Sequence, residues 1–210
     1  MNALVVVAHP DDEVIGCGGT LAKLHENECD VRVLLPIRRN DPRGVENWDS
    51  LTRSFVQACK HLGATPLIPN ILIDERSAEK EITCVHDAIV SLVEWADVIF
   101  THSLGDVHQV HRCVGRAVEI ATRPFRRRKE VYLFEVATST DQVFSTPFSP
   151  NSYSILSENH VQKKCEAMTY YPTELDGGRR PDGLKRRLQV RGDEIGVPFA
   201  ECFYLARHFF

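Results

Sequence analysis

The sequence predicts a single α/β domain with a Rossmann-like arrangement, in which a mostly parallel sheet carries helices on both faces. The length of 210 residues suits one domain that buries a sizeable core. Short apolar, β-branched stretches alternate with longer amphipathic ones at least four times before residue 140. Such alternation is typical of βαβ units with right-handed crossovers, which build parallel sheets.

The first predicted strand spans residues 2–8, which are apolar and rich in β-branched side chains, as in a strand buried on both faces. Residues 48–62 repeat apolar side chains at helical spacing and precede Gly63, a typical C-terminal stop. Further strands are predicted at 30–36, weakly at 67–73, at 97–101 and at 130–137. Further helices are predicted at 18–28, 78–95, 107–122, 158–168 and 184–191.

Two segments rich in small polar residues, Pro or Gly, at 138–157 and 172–183, are predicted to be loops. We therefore expect one domain over residues 1–210, with an α/β core at 1–137 and with lid loops and a C-terminal segment at 138–210. In folds of this class, ligands bind beyond the carboxyl ends of the strands. Candidate site residues should therefore follow the strands.

Composition excludes several classes of function. A formal charge of −4 and a pI of about 6.1 argue against nucleic acid as a partner. The apolar stretch at 3–8 is too short to span a membrane and lacks a preceding basic region, so no membrane segment or signal peptide is expected. Seven cysteines without a C-x-x-C pair suggest reduced thiols in the cytoplasm. Segments Phe144–Phe148 and Phe209–Phe210 are candidate contacts in a homo-oligomer.

The end of the first strand carries the first cluster of chemically active residues, Ala-His-Pro-Asp-Asp-Glu at 8–13. One histidine and three carboxylates within five positions need compensation if they are buried, and a divalent cation would provide it. Imidazole and carboxylate together suit zinc, and also tolerate iron, cobalt or nickel. The alternative is a polar turn in which an aspartate caps the following helix.

A second cluster follows strand 97–101. His108 and His111 are three residues apart, so they share one face at the start of the predicted helix. Loops after the two strands can then supply His9, Asp12 and His111 as metal ligands, with a fourth position open for water. That is the pattern of a catalytic rather than a structural site.

Both motifs resemble the signature of the LmbE-like, or PIG-L, deacetylases. The first is the string at 8–13 followed by Gly-Cys-Gly-Gly-Thr-Leu at 16–21, and the second is Gly-Asp-x-His-x-x-His at 105–111. The tail, with Arg-Gly at 191–192 and Phe-Ala-Glu-Cys-Phe at 199–203, is similar to the C-terminal segment of that family. The resemblance covers nearly the whole chain.

The resemblance implies a zinc-dependent hydrolase that removes an acetyl group from the nitrogen of an amino sugar or its conjugate. One Zn²⁺ per chain would be held by His9, Asp12 and His111. Asp11 matches the general base, and His108 matches the residue that stabilises the oxyanion or protonates the leaving amine. Further residues are predicted to support these or to contact a small-molecule substrate. The supporting candidates are Asp106 and Glu13, and the alternative for Asp106 is that it is the N-cap of the following helix. The predicted substrate contacts are Arg53, Glu135 and Arg179.

The sequence departs from the family at three places. Val110 replaces an aspartate that is usual in the family. The segment 176–180 keeps Arg179 but lacks the histidine that relatives often have there. Arg53 and Ser54 stand where relatives usually have an acidic pair. These departures leave the predicted chemistry intact and leave the substrate open. The basic cluster at 179–187 is either a clamp for a phosphate or carboxylate on the substrate or a solvated helix face.

Two other functions stay open. The chain could hydrolyse a different amide or an ester at the same site, or it could be a relative that binds metal or sugar without turnover. Asp11 argues against the second, because a pure metal scaffold does not need another aspartate beside its ligands.

Overall fold

The computed structural model describes residues 1–144 and 147–210. The helices and strands follow each other along the chain in the order β1 (Asn2–Val6), α1 (Asp12–Glu26), β2 (Asp30–Leu34), β3 (Ile37–Arg38), α2 (Pro42–His61), β4 (Thr65–Leu67), β5 (Ile73–Asp74), α3 (Ile82–Trp95), β6 (Val98–His102), α4 (Gln109–Ala121), β7 (Glu130–Phe134), β8 (Ser152–Ile155), α5 (Glu158–Met168), α6 (Pro181–Asp193) and β9 (Ala200–Arg207). Among these described helices, none is long and apolar enough to cross a membrane.

The main sheet has seven strands in the order β4-β2-β1-β6-β7-β9-β8. The five strands from β4 to β7 are parallel, and β9 pairs antiparallel with both β7 and β8. A separate two-stranded parallel sheet joins β3 to β5. The predicted α/β fold with a mostly parallel sheet is therefore confirmed.

Helices cover both faces of this sheet, and the alternation of side chains along β1 shows how. Ala3 and Val5 face a core formed with α1, α2 and α5, whereas Leu4 and Val6 face a core formed with α3 and α4. A central strand covered on both faces has to be apolar at every position. This is the physical reason for the unbroken apolar run at the start of the chain.

The direction of the chain through the sheet reverses next to β1. The chain passes outward from β1 through β2 to β4, and then returns by α3 to β6 on the other side of β1. Parallel sheets open a crevice at such a switch point, beyond the carboxyl ends of the two strands. Both predicted site motifs follow these two strands.

Several elements differ from the sequence-based expectation. Helix α1 begins at Asp12, inside the first motif, rather than at residue 18, and the weak strand at 67–73 is two short strands in different sheets. Strands β8 and β9 were not predicted, because buried residues occupy successive positions at the start of β9 and hide the period of two. The segment expected to form lid loops thus completes the sheet. Part of the predicted contact segment at 144–148 lies outside the described residues.

The glycines in the first half of α1 allow close packing. A Cβ atom on Gly16 would lie 2.4 Å from the ring of Phe134, and one on Gly19 would lie 2.5 Å from Leu156. Larger side chains would push α1 away from the sheet and move the start of the helix, where Asp12 lies.

Candidate functional site

The loop after β1 carries three predicted site residues on a strained backbone. His9 and Asp11 precede α1, and Asp12 is the first residue of that helix. Oδ2 of Asp12 accepts a hydrogen bond of 2.8 Å from the backbone N–H of His9, which closes the loop. Asp11 has a φ of 110°, a conformation that residues other than glycine rarely adopt. Strain of this kind persists where the surrounding structure enforces it, most often at functional sites.

The side chains of His9, Asp12 and His111 carry atoms that can each donate a lone pair to a metal ion. These metal-type donor atoms lie close together, and all three residues are buried. Nδ1 of His9 is 3.1 Å from Nε2 of His111 and 3.5 Å from Oδ2 of Asp12. Oδ1 of Asp12 is 3.5 Å from Nε2 of His111. The structure therefore brings together the three residues that the sequence predicts as metal ligands.

This donor set fits a divalent cation. Two imidazole nitrogens and one carboxylate oxygen are a ligand set that zinc uses in catalytic sites. Tetrahedral coordination with bonds of about 2.1 Å places neighbouring donors about 3.4 Å apart. The three separations, two of which run to different oxygens of Asp12, are close to that value. Buried donors at this spacing need a cation or a proton between them, because their lone pairs otherwise face each other.

The carboxylate of Asp11 lies beside the donor set and has other partners. Its Oδ2 accepts a hydrogen bond of 2.9 Å from Nη1 of Arg179. Burial, followed by the charge of Asp12, raises the pKa of Asp11 to about 7. A carboxyl group that titrates near neutrality can take up a proton and return it, as a general base must.

Glu13 supports the strained backbone of Asp11. Its Oε2 accepts a hydrogen bond of 3.1 Å from the backbone N–H of Asp11, and its Oε1 accepts one of 2.5 Å from the hydroxyl of Tyr171. Burial raises the pKa of Glu13 to about 8. These contacts agree with the supporting position predicted for Glu13.

The two histidines of the second motif lie at the start of α4, as predicted from their spacing. His108 is the N-cap of the helix, and its Nδ1 accepts a hydrogen bond of 3.3 Å from the backbone N–H of Val110. Its ring stacks on that of His111 with centroids 4.6 Å apart. Burial, followed by the neighbouring His9, lowers the pKa of His108 to about 4. His108 is therefore neutral near neutral pH, with Nδ1 as acceptor and Nε2 as donor.

Asp106 supports this motif and does not cap α4, so the N-cap alternative is wrong. Its Oδ1 accepts a hydrogen bond of 2.7 Å from the backbone N–H of His108, and its Oδ2 lies 3.2 Å from Nδ1 of His111. The hydroxyls of Ser139 and Thr140 donate to the same carboxylate. Burial acts to raise the pKa of Asp106, but His111 and these hydroxyls hold it below its usual value. A carboxylate at the second nitrogen of a metal-binding histidine fixes the orientation of its ring.

His102, at the end of β6, is a site residue that sequence reasoning missed. It is fully buried, and its Nε2 lies 3.3 Å from Oδ2 of Asp12. The same nitrogen accepts a hydrogen bond of 3.0 Å from the backbone N–H of Ala8. Because its lone pair takes part in this hydrogen bond, Nε2 is not free to bind a metal ion. Burial lowers the pKa of His102 to about 4. We therefore assign His102 to the support of the loop after β1. A histidine at the end of an apolar strand was the available signal.

Glu75 was also missed, and its sequence context contains no recognisable signal. It follows the short strand β5, and its Oε1 lies 3.9 Å from Nε2 of His9. Its Oε2 accepts a hydrogen bond of 2.9 Å from the backbone N–H of Asn40. The contact with His9 lowers the pKa of Glu75 to about 2. Glu75 thus stands at the second nitrogen of His9, as Asp106 does for His111.

Replacement of Glu75 by glutamine should weaken metal binding. The amide keeps the size of the side chain but removes the charge that orients His9. Loss of such a supporting carboxylate typically lowers metal affinity about 10- to 100-fold. Competition with a chromogenic zinc chelator would measure the change. Glu79→Gln, at an exposed position nearby in the chain, is the matched control. Equal affinity in both variants would contradict the assigned role.

Of the three predicted substrate contacts, the structure brings only Arg179 to the site. Arg53 is exposed on α2, because that helix buries the side that carries Leu51 and Phe55, and Arg53 does not line the cavity. Glu135 accepts hydrogen bonds from α6 instead, at 2.8 Å from Nη2 of Arg191. The predictions for Arg53 and Glu135 are therefore corrected.

The site opens into a cavity of about 440 Å³ at the carboxyl edge of the sheet. His9, Asp11, Asp12, His108 and His111 all line it. Its remaining wall includes the charged side chains of Arg39, Asp41, Glu75, Glu174, Asp176 and Arg179. The cavity is large enough for a small polar ligand beside the donor set.

Comparison with known proteins identifies a family and a fold. A family model described as PIG-L, GlcNAc-PI de-N-acetylase, matches residues 4–122. No curated protein sequence matches the chain. Among solved structures, the zinc-inhibited form of teicoplanin deacetylase Orf2 is similar with a TM-score of 0.78, 15% identity and 97% of each chain covered.

Two further structures share the fold. N,N′-diacetylchitobiose deacetylase from Pyrococcus horikoshii has a TM-score of 0.74 and 18% identity, with 97% of this chain and 83% of that chain covered. GalB, the 4-carboxy-2-hydroxymuconate hydratase from Pseudomonas putida KT2440, has a TM-score of 0.71 and 18% identity, with 100% of this chain and 97% of that chain covered. The hydratase indicates that the fold alone does not decide the reaction, so the side chains of the site must carry that argument.

Proposed function

This chain belongs to the PIG-L family, and from that premise we propose that it is a zinc-dependent hydrolase that removes the acetyl group from an N-acetylated amino sugar or its conjugate. One observation carries the proposal. Three buried metal-type donors, on His9, Asp12 and His111, lie together at the floor of a cavity, and the separate carboxylate of Asp11 lies beside them. A structural metal site would have no use for that additional carboxylate.

His9, Asp12 and His111 would hold the cation. When bound there, zinc would lower the pKa of a water molecule to about 7 and polarise the amide carbonyl. The carboxylates of Glu75 and Asp106 would keep the two imidazoles in orientation, since each lies near the second nitrogen of one of them.

Asp11 would move the proton in both halves of the reaction. It would accept a proton from the attacking water as the oxygen bonds to the acetyl carbon. It would then deliver that proton to the amine nitrogen as the carbon–nitrogen bond breaks, so that acetate and a free amino sugar leave. A pKa raised by burial suits both steps, because the group is neither too weak a base nor too weak an acid.

His108 would stabilise the tetrahedral intermediate. Its Nδ1 accepts a backbone hydrogen bond, which leaves Nε2 as the donor in the neutral ring. Its ring lines the cavity, next to those of His9 and His111. A fixed donor at this position would bond the oxygen of the substrate as its negative charge develops.

Substitution of His111 by alanine tests the cation site and the reaction together. We expect about one zinc per chain in the parent protein, and loss of most of that zinc and of activity in the variant. Elemental analysis gives the metal content. Acetate and amine released in equal amounts from acetamido sugars identify the reaction. His86→Ala is the matched control, because His86 is paired with Asp87 on α3 and does not line the cavity.

Two results would contradict the proposal. Undiminished metal in His111→Ala would show that the ligand set is different. Metal-loaded protein that releases neither acetate nor amine from acetamido sugars would exclude the deacetylase, and activity on other amides or esters would then define a different hydrolase.

A further inference from the structure

The described residues in the wall of the cavity carry more negative than positive side chains. The floor of the cavity is formed by His9, Asp11, Asp12, His108 and His111. Among the other described residues that line the cavity, four are carboxylates and two are arginines: Asp41, Glu75, Glu174 and Asp176, with Arg39 and Arg179. On the floor, the carboxylates of Asp11 and Asp12 would be offset by the two positive charges of a bound cation. The described wall therefore stays net negative in the metal-loaded protein.

Both arginines of the wall are already paired with carboxylates. Nε of Arg39 donates to Oδ1 of Asp41 at 2.9 Å, and Nη1 of Arg39 lies 3.7 Å from Glu174. Arg179 donates to Asp11 at 2.9 Å and lies 3.9 Å from Glu174. A phosphate or carboxylate on a substrate would have to displace these partners and would leave them uncompensated.

Helix α6 does not provide a free cation in their place. Nη1 of Arg187 donates to Glu135 at 3.1 Å, and Nη2 donates to Asp141 at 2.6 Å. Arg186 is paired with Asp182 on the same helix. Within the basic cluster noted in the sequence, Arg186 and Arg187 thus pair with acidic groups outside the cavity, and this argues against the phosphate clamp.

One carboxylate of the wall is available to a ligand. Asp176 is exposed, and none of the side chains that the structure describes pairs with its carboxylate. An ammonium group could bind there without the loss of an existing contact, and it would reduce the excess negative charge of the wall.

We propose that this cavity selects acetamido sugars that carry a free amino group over sugars that carry a phosphate or carboxylate group, an inference that rests on the proposed deacetylase function. An excess of one sign of charge in a cleft raises the local concentration of an oppositely charged ligand, by about 10- to 1,000-fold where the whole lining has one sign. The sugar hydroxyls and the acetamido group are common to all these substrates. The charge of the rest of the molecule would therefore decide between them.

Two matched pairs of substrates test the preference in zinc-loaded protein. The first pair is chitobiose with one N-acetyl group and one free amine, against N,N′-diacetylchitobiose. The second pair is N-acetylglucosamine 6-phosphate against N-acetylglucosamine. At low salt we expect kcat/KM to be about tenfold or more higher for the amino disaccharide, and about tenfold or more lower for the phosphate. Both ratios should shrink as salt is added, because salt screens the charges.

Variants locate the effect in the wall. Asp176→Asn should reduce the ratio of kcat/KM for the amino disaccharide to kcat/KM for N,N′-diacetylchitobiose. Asp193→Asn, at an exposed position at the far end of α6, should leave this ratio unchanged. Deacetylation of neutral and amino substrates with equal kcat/KM, or preferred cleavage of the phosphate, would overturn the inference and leave the deacetylase intact. Failure to release amine from every substrate would instead reject the proposed function.

Discussion

Substitution of Asp11 by asparagine should reduce the turnover of an acetamido sugar about 100- to 10,000-fold, the usual contribution of a general base. Zinc should remain bound, because His9, Asp12 and His111 are unchanged. Asparagine suits the position in two further respects. It tolerates a positive φ better than most residues, and its amide oxygen can still accept the hydrogen bond from Arg179. The loss of activity would therefore report the lost proton transfer rather than a collapsed loop.

Three measurements on the same preparation decide the result: kcat, zinc content and melting temperature. Asp87→Asn, an exposed position on α3, is the control. Turnover that survives in Asp11→Asn would show that another group is the base. Zinc lost together with turnover would show that Asp11 is a ligand.

A second large effect is expected at the interruption of α1. The helix has a non-helical backbone at Cys17, with a φ of −148°. After this break, the backbone N–H groups of Gly19 and Thr20 donate to Oε1 and Oε2 of Glu201 at 2.9 and 2.7 Å. A carboxylate from β9 therefore acts as a cap inside the helix.

Lys164 completes this arrangement from α5. Its Nζ donates to the backbone carbonyl of Ile15 at 2.8 Å and to Oε1 of Glu201 at 2.6 Å. Both charged side chains are almost fully buried. The pair thus satisfies a carbonyl before the break and two N–H groups after it.

Substitution of Glu201 by alanine should lower the free energy of unfolding by about 3–5 kcal/mol, because it leaves the ammonium of Lys164 buried without a partner. Urea denaturation followed by circular dichroism would measure the loss. The double variant Lys164→Met with Glu201→Gln leaves no buried charge. Its loss in the free energy of unfolding should therefore be smaller than the sum of the losses in Lys164→Met alone and Glu201→Gln alone.

The control for this prediction is an exposed ion pair. Asp182→Ala removes the partner of Arg186 on the surface of α6 and should change stability very little. A loss in Glu201→Ala as small as in this control would contradict a structural role for the buried pair.

Local patterns were sufficient to predict much of the fold and the centre of the site. The apolar run of β1 reflects burial on both faces, and the spacing of His108 and His111 follows the helical repeat. Because parallel strands end at one edge, the residues after β1 and β6 had to meet once both strands were identified. The three metal-type donors were therefore accessible from the sequence.

Contacts between residues far apart in the chain were not accessible in this way. Arg179 reaches Asp11 across 168 positions, and Glu75 reaches His9 from a short strand without a clear pattern. Both Arg179 and Arg53 were predicted to contact substrate, and only the packing of α2 against the sheet turns Arg53 to solvent. A charged residue in a loop or on a helix has no period that reveals its partner.

The sequence by itself determined the class of fold, the edge of the sheet that carries the chemistry, and the donors that meet there, because each depends on short-range periodicity and on residue type. The tertiary structure alone decided which carboxylates lie at the second nitrogens of His9 and His111, which arginine reaches Asp11, and what net charge the described cavity wall presents. These features depend on side chains that approach from separate elements, and their pairing lowers the energy only once the whole chain has packed.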